Sequence, residues 1–282
     1  MPTLKEIKGR IGSVQSTLKI TSAMKLVSSA KLRKAQSAIE NMRPYQEKLQ
    51  EILALASGNS SGKKANFPDG DVVLVAMASN SSLCGGFNAN AIAKAKEVLK
   101  EHPGATVYSI GRKMADAMRK AGYPSPKDFT ALSEHPSYAP VSELVDKFIE
   151  DDAQVILVYN HFVSTGKQVP VAEPLISSSA EASDTPQSSF AGLTGESIDV
   201  IVEPSRKDLL EALYPKTLKI KLFAALLDSA AAEHAARTVA MQTATDNGED
   251  LLAELTLQYN KGRQQKITNE ILDLAGGQQA RD

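Results

Sequence analysis

Apolar residues in the first 57 positions fall on one seam. Alternate steps of three and four from Leu4 give Leu4, Ile7, Ile11, Val14, Leu18, Thr21, Lys25, Ser28, Leu32, Ala35, Ile39, Met42, Gln46, Leu49, Leu53 and Ala56, and twelve of the sixteen are apolar. A seam sustained over so many heptads predicts a long helix built for a coiled coil. It lapses at Thr21, Lys25 and Ser28, where Met24 and Val27 carry apolar character out of register. About 55 helical residues would reach roughly 80 Å, longer than a small domain is wide.

The C-terminal third repeats the theme from Ser205 to Leu274. Its one proline, Pro215, suits the first turn of a fresh helical segment. Eight of the seventeen residues at positions 224–240 are Ala, so a partner helix can come close. A further apolar stripe follows at Leu251, Leu252, Leu255 and Tyr259, then Ile267, Ile271 and Leu274. Two seams at opposite ends of one chain most simply bury each other as an antiparallel pair.

Between them the period changes to strand–helix alternation. Asp69-Gly70 turns into DVVLVAMA, a Gly loop (Cys84-Gly85-Gly86) leads to a helix near positions 88–101, and TVYSIG precedes a helix at 112–121. A Pro-rich loop at 124–140, a helix at 141–152 and the apolar strand QVILVYNHFV come next. Ser164-Thr165-Gly166-Lys167 then turns into QVPVAEPLIS, a Ser-rich stretch reaches Ser189, and IDVIVEP reads as a last short strand. This alternation predicts a mainly parallel sheet covered on both faces. The segment SGNSSGKK at 57–64 separates it from the first helix.

Composition narrows the class without naming a chemistry. A chain of 282 residues, 42% hydrophobic, can bury a core, and a net charge of −1 gives no bulk argument for nucleic acid. Charge is unevenly spread: residues 1–50 carry ten bases against three acids, and residues 51–205 carry twelve against nineteen. Such segments face different neighbours. The single cysteine, Cys84, has no intramolecular disulfide partner, which fits a reducing compartment. His102, His135, His161 and His234 lack metal-ligand spacing. No apolar run approaches the roughly 20 residues of a membrane span, and the N-terminus lacks a signal-type core.

Each candidate site has an ordinary counterpart. SNSSLCGGFN stands between strand and helix, where phosphates bind, yet it lacks both GxGxxG and the P-loop lysine. It also reads as a tight turn, and Cys84 as a small buried residue with no basic neighbour to activate it. His161 reads as a satisfied structural histidine, and His234 as a hydrogen-bonding group across the helix pair. Glu150-Asp151-Asp152 reads as a solvated helix end or a cation site. The basic run Lys25, Lys31, Arg33, Lys34 is a solvated face, a nucleic-acid contact without aromatic interleaving, or a face for an acidic protein. Arg263, Gln264, Thr268 and Glu270 are either ordinary surface or hydrogen-bond anchors into a surrounding protein.

Three stretches carry a family resemblance. ITSAMKLVSSAKLRKAQ (20–36), SLCGGFN (82–88) and EHAARTVAMQTATDNGEDLLAELTLQYNKGRQQKITNEI (233–271) closely resemble the first helix, central Gly loop and C-terminal helix of the gamma subunit of F-type ATP synthases. The order and the helix–domain–helix layout also match. The chain departs from the family at Gly276-Gly277-Gln278, where Ser-Gly-Ala is common, and at Asn80 and Ser81, where Asp and Arg are frequent. It also lacks the cysteine pair of the chloroplast form.

The resemblance implies an α/β fold: a long antiparallel coiled coil from both termini plus a central Rossmann-like α/β domain. The expected division is residues 1–57 as N-terminal shaft helix, 65–204 as central domain and 205–282 as C-terminal shaft helix packing on 1–57. It implies a rotor shaft, without an active site, cofactor or metal of its own, that couples proton-driven rotation of a c-ring to ATP synthesis or hydrolysis. Implied partners are three alpha and three beta subunits, the epsilon subunit and the c-ring, with no nucleic acid and no direct membrane insertion. The implied location is the cytoplasmic face of a bacterial inner membrane, peripheral and held by protein contacts. By position, Arg263 and Gln264 match a catch on a beta-subunit loop, and Thr268, Glu270 and Arg237 match coupling or shaft contacts. Met24 and Lys25, with the basic face Lys31, Arg33 and Lys34, fall where the shaft passes an acidic beta loop. Ile201, Val202 and Glu203 match the foot toward the c-ring and epsilon. The competing readings are an α/β enzyme using the Gly loop near Cys84, its helices serving dimerisation, and a coiled-coil adaptor for nucleic acid.

Overall fold

The computed structural model describes residues 3–57, 71–176, 203 and 205–279. In chain order the elements are α1 (Leu4–Ser57), β1 (Val72–Met77), α2 (Phe87–Glu101), β2 (Thr106–Ile110), α3 (Arg112–Lys120), α4 (Thr130–Glu134), α5 (Tyr138–Glu150), β3 (Gln154–Ser164), β4 (Lys167–Ile176) and α6 (Arg206–Gln279). The linker after Ser57, Asp69-Gly70, the Ser-rich stretch from Ser177 and the strand expected in IDVIVEP lie outside the described residues, apart from Glu203.

Both long helices begin on capping side chains. Thr3 N donates to Glu6 Oε2 at 2.9 Å while Glu6 N donates to Thr3 Oγ1 at 3.3 Å, a reciprocal capping box. Asp208 N donates likewise to Ser205 Oγ at 3.1 Å. Helix α6 runs through Pro215, so that residue does not open a separate segment as its sequence position suggests. The backbone also stays helical across Gly276-Gly277.

Contacts group the chain into two compact units, Met1–Ser29 with Arg237–Asp282, and Ala30–Ala236. Each unit thus takes part of both long helices, where the sequence suggested divisions between whole segments.

In the first unit, burial on α6 falls at Met241, Thr245, Gly248, Leu252, Leu255, Tyr259 and Gly262, alternating steps of four and three. On α1 it falls at Leu4, Ile7, Ile11, Val14, Leu18 and Thr21. A Cβ on Gly248 would stand 2.7 Å from Leu18 Cδ2, and one on Gly262 would stand 3.1 Å from Leu4 Cδ2. Thr21 and Thr245 hydroxyls are 2.9 Å apart. Positions rising on α1 meet positions falling on α6, so the two segments are antiparallel. The expected lapse at Thr21 and Ser28 is not a lapse in packing: both are buried, whereas Val27 is 57% exposed. A hydroxyl can remain in the seam because it is bonded there; Thr21 Oγ1 also donates to Leu18 O.

The second unit holds a four-stranded sheet in the order β2-β1-β3-β4. β1 pairs in parallel with β2 and β3, and β4 closes the edge antiparallel to β3. Alternate residues of β1 serve opposite faces. Leu74 and Ala76 pack with α2 and α3 through Ala91, Ala95, Met114 and Met118. Val73, Val75 and Met77 join Val141, Val145 and Phe148 of α5 and Leu222 and Leu226 of α6. Helices therefore cover both faces of a small mixed sheet. The stretch expected as a loop contains α4, and α5 starts at Tyr138, ahead of the expected Val141. Leu132 of α4 is buried in the same core, which holds that turn in place despite its flanking prolines. Small residues on α6 serve two sides: Ala231 and Ala235 receive Leu32 of α1, while Ala232 and Ala236 receive Cys84 and Phe87.

Candidate functional site

The loop after β1 is a strand-to-helix turn with a phosphate-site look, and this chain fills it with its own groups. Asn88, in the first turn of α2, accepts from Ser79 N at 3.0 Å and donates to Ser81 O at 3.2 Å. Its Nδ2 also lies 3.1 Å from Cys84 Sγ. The backbone turns through two left-handed residues, Leu83 at φ 65 and Gly85 at φ 57. Cys84 is 1% exposed among Phe87, Ala232 and Ala236, so no substrate can reach its thiol.

The N-terminus of α3 is closed as well. Its first N–H groups would attract an anion, but Arg112 N donates to Asn80 Oδ1 at 2.9 Å and Lys113 N donates to Ser79 O at 3.0 Å. Asn80 is held by its own bond to Thr130 O at 2.8 Å. Gly111 precedes this turn at φ 95, and a Cβ there would fall 2.0 Å from Ala78 O, so only glycine fits.

Sheets with this kind of parallel core bind ligands beyond the carboxyl ends of their strands. Here α6 occupies that space. Leu226, Ser229, Ala230 and Glu233 meet Met77, Ala78, Ile110 and Ser133 around a cavity of about 10 Å³, room for about one water. Among the described residues no group of His, Cys, Asp and Glu is placed to hold a metal ion. Nor is any described helix long and apolar enough to cross a membrane.

A polar cluster that the sequence did not disclose joins β3, β4 and α6. His161 Nδ1 lies 2.5 Å from Asp228 Oδ2, and Phe162 N donates to Asp228 Oδ1 at 3.1 Å. Burial pushes the Asp228 carboxyl up, against the pull of the His161 hydrogen bond. Nearby, Tyr159 donates to Glu173 Oε1 at 3.3 Å, and burial raises its phenol well above the ordinary value. His161 is thus a satisfied histidine, though half of its side chain is exposed. The cluster was illegible because His161 and Asp228 stand 67 residues apart.

Apart from Ile201, Val202 and Glu203, the remaining expected contact residues lie on the long helices. Every described side chain of α6 past Gly262 is exposed, including Arg263, Gln264, Thr268 and Glu270. Thr268 donates to Gln264 O at 3.0 Å, and Glu270 pairs with Lys266 at 3.6 Å. Ile267 and Ile271 are exposed rather than packed as their stripe suggested, because α1 begins at Leu4, opposite Gly262. Met24 and Lys25 are half-buried. Lys31, Arg33 and Lys34 are exposed around buried Leu32. Arg237, expected as a surface contact, is instead 7% exposed; this chain covers it. Glu203 is exposed, and Ile201 and Val202 lie outside the described residues.

These features define a scaffold class: long antiparallel helices and a helix-covered sheet whose ligand crevice is filled from within. A family model described as ATP synthase matches residues 3–280. The ATP synthase gamma chain of Phocaeicola vulgatus is 46% identical over 294 residues, covering 99% of this chain and 100% of that relative. That of Flavobacterium johnsoniae is 40% identical over 292 residues, covering 99% of each. The rotor of the Euglena gracilis mitochondrial ATP synthase shares the fold, with a TM-score of 0.64 at 19% identity over 94% of this chain and 98% of that one. The chain belongs to the gamma-chain family of ATP synthases, whose members are non-catalytic subunits of the complex.

Proposed function

We propose that this chain is the central rotor shaft of an F-type ATP synthase, coupling proton-driven rotation of a c-ring to conformational change in a hexamer of three alpha and three beta subunits. The observation that carries this reading is the bare end of α6. Past Gly262 no helix among the described residues packs on it, yet it exposes Ile267, Ile271 and Leu272 at 47, 60 and 62%. Apolar side chains on an isolated helix fit burial in another protein. A shaft that pushes on partners needs stiffness and asymmetric faces, and coupling then reaches the partners as differential contact free energy.

On this reading the antiparallel seam is a coiled coil and the sheet unit a Rossmann-like domain that has lost its ligand crevice to α6. Arg263 and Gln264 engage a beta-subunit loop, with Thr268 and Glu270 on the same surface. Met24, Lys25, Lys31, Arg33 and Lys34 face an acidic beta loop. Ile201, Val202 and Glu203 form part of the foot toward the epsilon subunit and c-ring. Arg237 supports the shaft from inside. The chain works at the cytoplasmic face of a bacterial inner membrane, held there by protein contacts. The gamma chains of Phocaeicola vulgatus and Flavobacterium johnsoniae support a bacterial setting for it.

The test is ATP hydrolysis by a matched alpha–beta assembly with and without this chain, beside the chain alone. Activity should rise on addition, with none from the chain by itself. Hydrolysis by the isolated chain would return the Gly-loop enzyme as the working reading.

A further inference from the structure

Asn247-Gly248 is the one Asn-Gly pair in the chain, and it stands inside α6. Asparagine followed by glycine is the dipeptide most open to deamidation, because no side chain on the second residue keeps its nitrogen from the asparagine amide. Here Asn247 is exposed and Gly248 is half-buried. Helix geometry holds the pair inert. The N–H of a helical Gly248 is committed to the carbonyl four residues back. Helical backbone at Asn247 also keeps that nitrogen from closing a five-membered ring on its side chain.

Little within α6 itself favours this turn. Thr243, Thr245, Asp246, Asn247 and Gly248 all rank low in helix propensity. The Thr243 hydroxyl donates to Val239 O at 3.1 Å, competing with the backbone ladder. Asp246, Glu249 and Asp250 set like charges three and four residues apart, which further weakens a helix. The support comes from α1. Leu18 Cδ2 sits 2.7 Å from where a Cβ on Gly248 would stand, and the Thr21 and Thr245 hydroxyls meet at 2.9 Å.

We propose that Asn247 is a modification site gated by α1, reacting with its own backbone when the seam between the two helices opens. Gly248 N attacks Asn247 Cγ, and the new C–N bond closes a succinimide. The Cγ–Nδ2 bond breaks, and ammonia leaves carrying the backbone proton. Water then opens the ring at either carbonyl, giving aspartate or isoaspartate. Both products add a negative charge. Isoaspartate also lengthens the backbone by a methylene, so α6 cannot regain the register that seats Leu18 against Gly248. The product therefore records time spent with the helices apart. This goes beyond the rotor reading and does not depend on it.

The experiment incubates the full chain at mildly alkaline pH, folded and in guanidinium chloride. Peptide mapping by mass spectrometry separates amide, aspartate and isoaspartate at position 247. The folded parent should react at least about tenfold more slowly than the unfolded one, because the helix must first open. In denaturant, Gly248→Ala should slow the reaction about tenfold by hindering the nitrogen, and Asn247→Gln should abolish it. Folded Leu18→Ala should react about tenfold faster than the folded parent, since it removes the contact that seats the turn. Val75→Ala, in the sheet unit, should leave the rate unchanged. If Leu18→Ala loses its helical circular dichroism, Thr21→Val carries the same arm with a smaller acceleration. No reaction in denaturant, or equal rates there for the parent and Gly248→Ala, would overturn the site. Equal rates for folded and unfolded parent would overturn the gate. So would a seam variant no faster than the parent, or a Val75→Ala acceleration as large as that of the seam variant.

Discussion

Leu18 occupies the space that a side chain on Gly248 would need: a Cβ there would lie 2.7 Å from Leu18 Cδ2. Glycine inside a helix normally costs about 1 kcal/mol relative to alanine, so its place here reflects a packing demand. Gly248→Ala gains helix propensity and asks only the end of a flexible leucine to move, so it should be nearly neutral. Gly248→Val has no such escape and should cost about 1–3 kcal/mol. Urea unfolding gives the loss, and amide exchange should speed up selectively around residues 11–25 of α1. A valine variant as stable as the parent would refute the close fit.

Thr21 and Thr245 form a polar pair within an otherwise apolar seam, 2.9 Å apart. One hydroxyl proton bridges the pair, and the other hydroxyl donates to backbone on its own helix, Thr21 to Leu18 O or Thr245 to Met241 O. Thr21→Val or Thr245→Val should each cost about 0.5–1.5 kcal/mol. The double variant should cost less than the two single losses together, and a double-mutant cycle reads that coupling. Strict additivity would show that the hydroxyls are neighbours without being partners.

Gly111→Ala tests the closed loop of the sheet unit. The added methyl would strike Ala78 O, and the φ of 95 is itself unfavourable for alanine. A loss of about 3 kcal/mol is expected in thermal unfolding. A second variant, Asn80→Ala, removes the acceptor of Arg112 N and should cost about 1 kcal/mol. Calorimetry with ATP should show that neither variant gains nucleotide binding, because α6 still fills the crevice.

Stability should depend on pH through Asp228. Burial holds its carboxyl above the ordinary value, so the folded state binds that proton more readily than the unfolded chain. The associated stability is present below the unfolded value and is lost as pH rises through the raised folded value. Compared with Asp228→Asn, which stays neutral, the parent should therefore lose relative stability as pH rises from about 4 through the ordinary carboxylate range and above it. Parallel urea titrations of both proteins check the sign, and a relative gain over that range would contradict it.

The residues that repeat locally were legible in the sequence. The seam from Leu4 to Leu53 and the alternation of strands and helices need only period and composition, and the structure follows both. What failed to show was whatever depends on distant neighbours or on absent atoms. Thr21 and Ser28 looked like a break because polarity was visible, whereas their burial and the bonding of Thr21 were not. Gly248 and Gly262 offered no apolar signal, yet they are seam members because they lack side chains. Ile267 and Ile271 looked like core, since the end of the partner helix is set by register and not by their own pattern. Asn80 became a stopper for α3 only once the sheet brought it to Arg112, and Arg237 gave no sign of being buried.

Arg263 and Gln264 carry the coupling claim for the bare end of α6. R263A/Q264A should lower ATP synthesis in the assembled enzyme about tenfold, equivalent to about 1.4 kcal/mol, while the chain's own unfolding is unchanged because both side chains are exposed. Unchanged synthesis rates would remove these two residues from the catch.

The most direct measurement of the central claim follows a bead attached to this chain within an immobilised alpha–beta assembly supplied with ATP. The rotor account predicts sustained rotation in one direction, dependent on ATP, that stops when the nucleotide is exhausted. A chain that stays bound and motionless while the assembly hydrolyses ATP would contradict it.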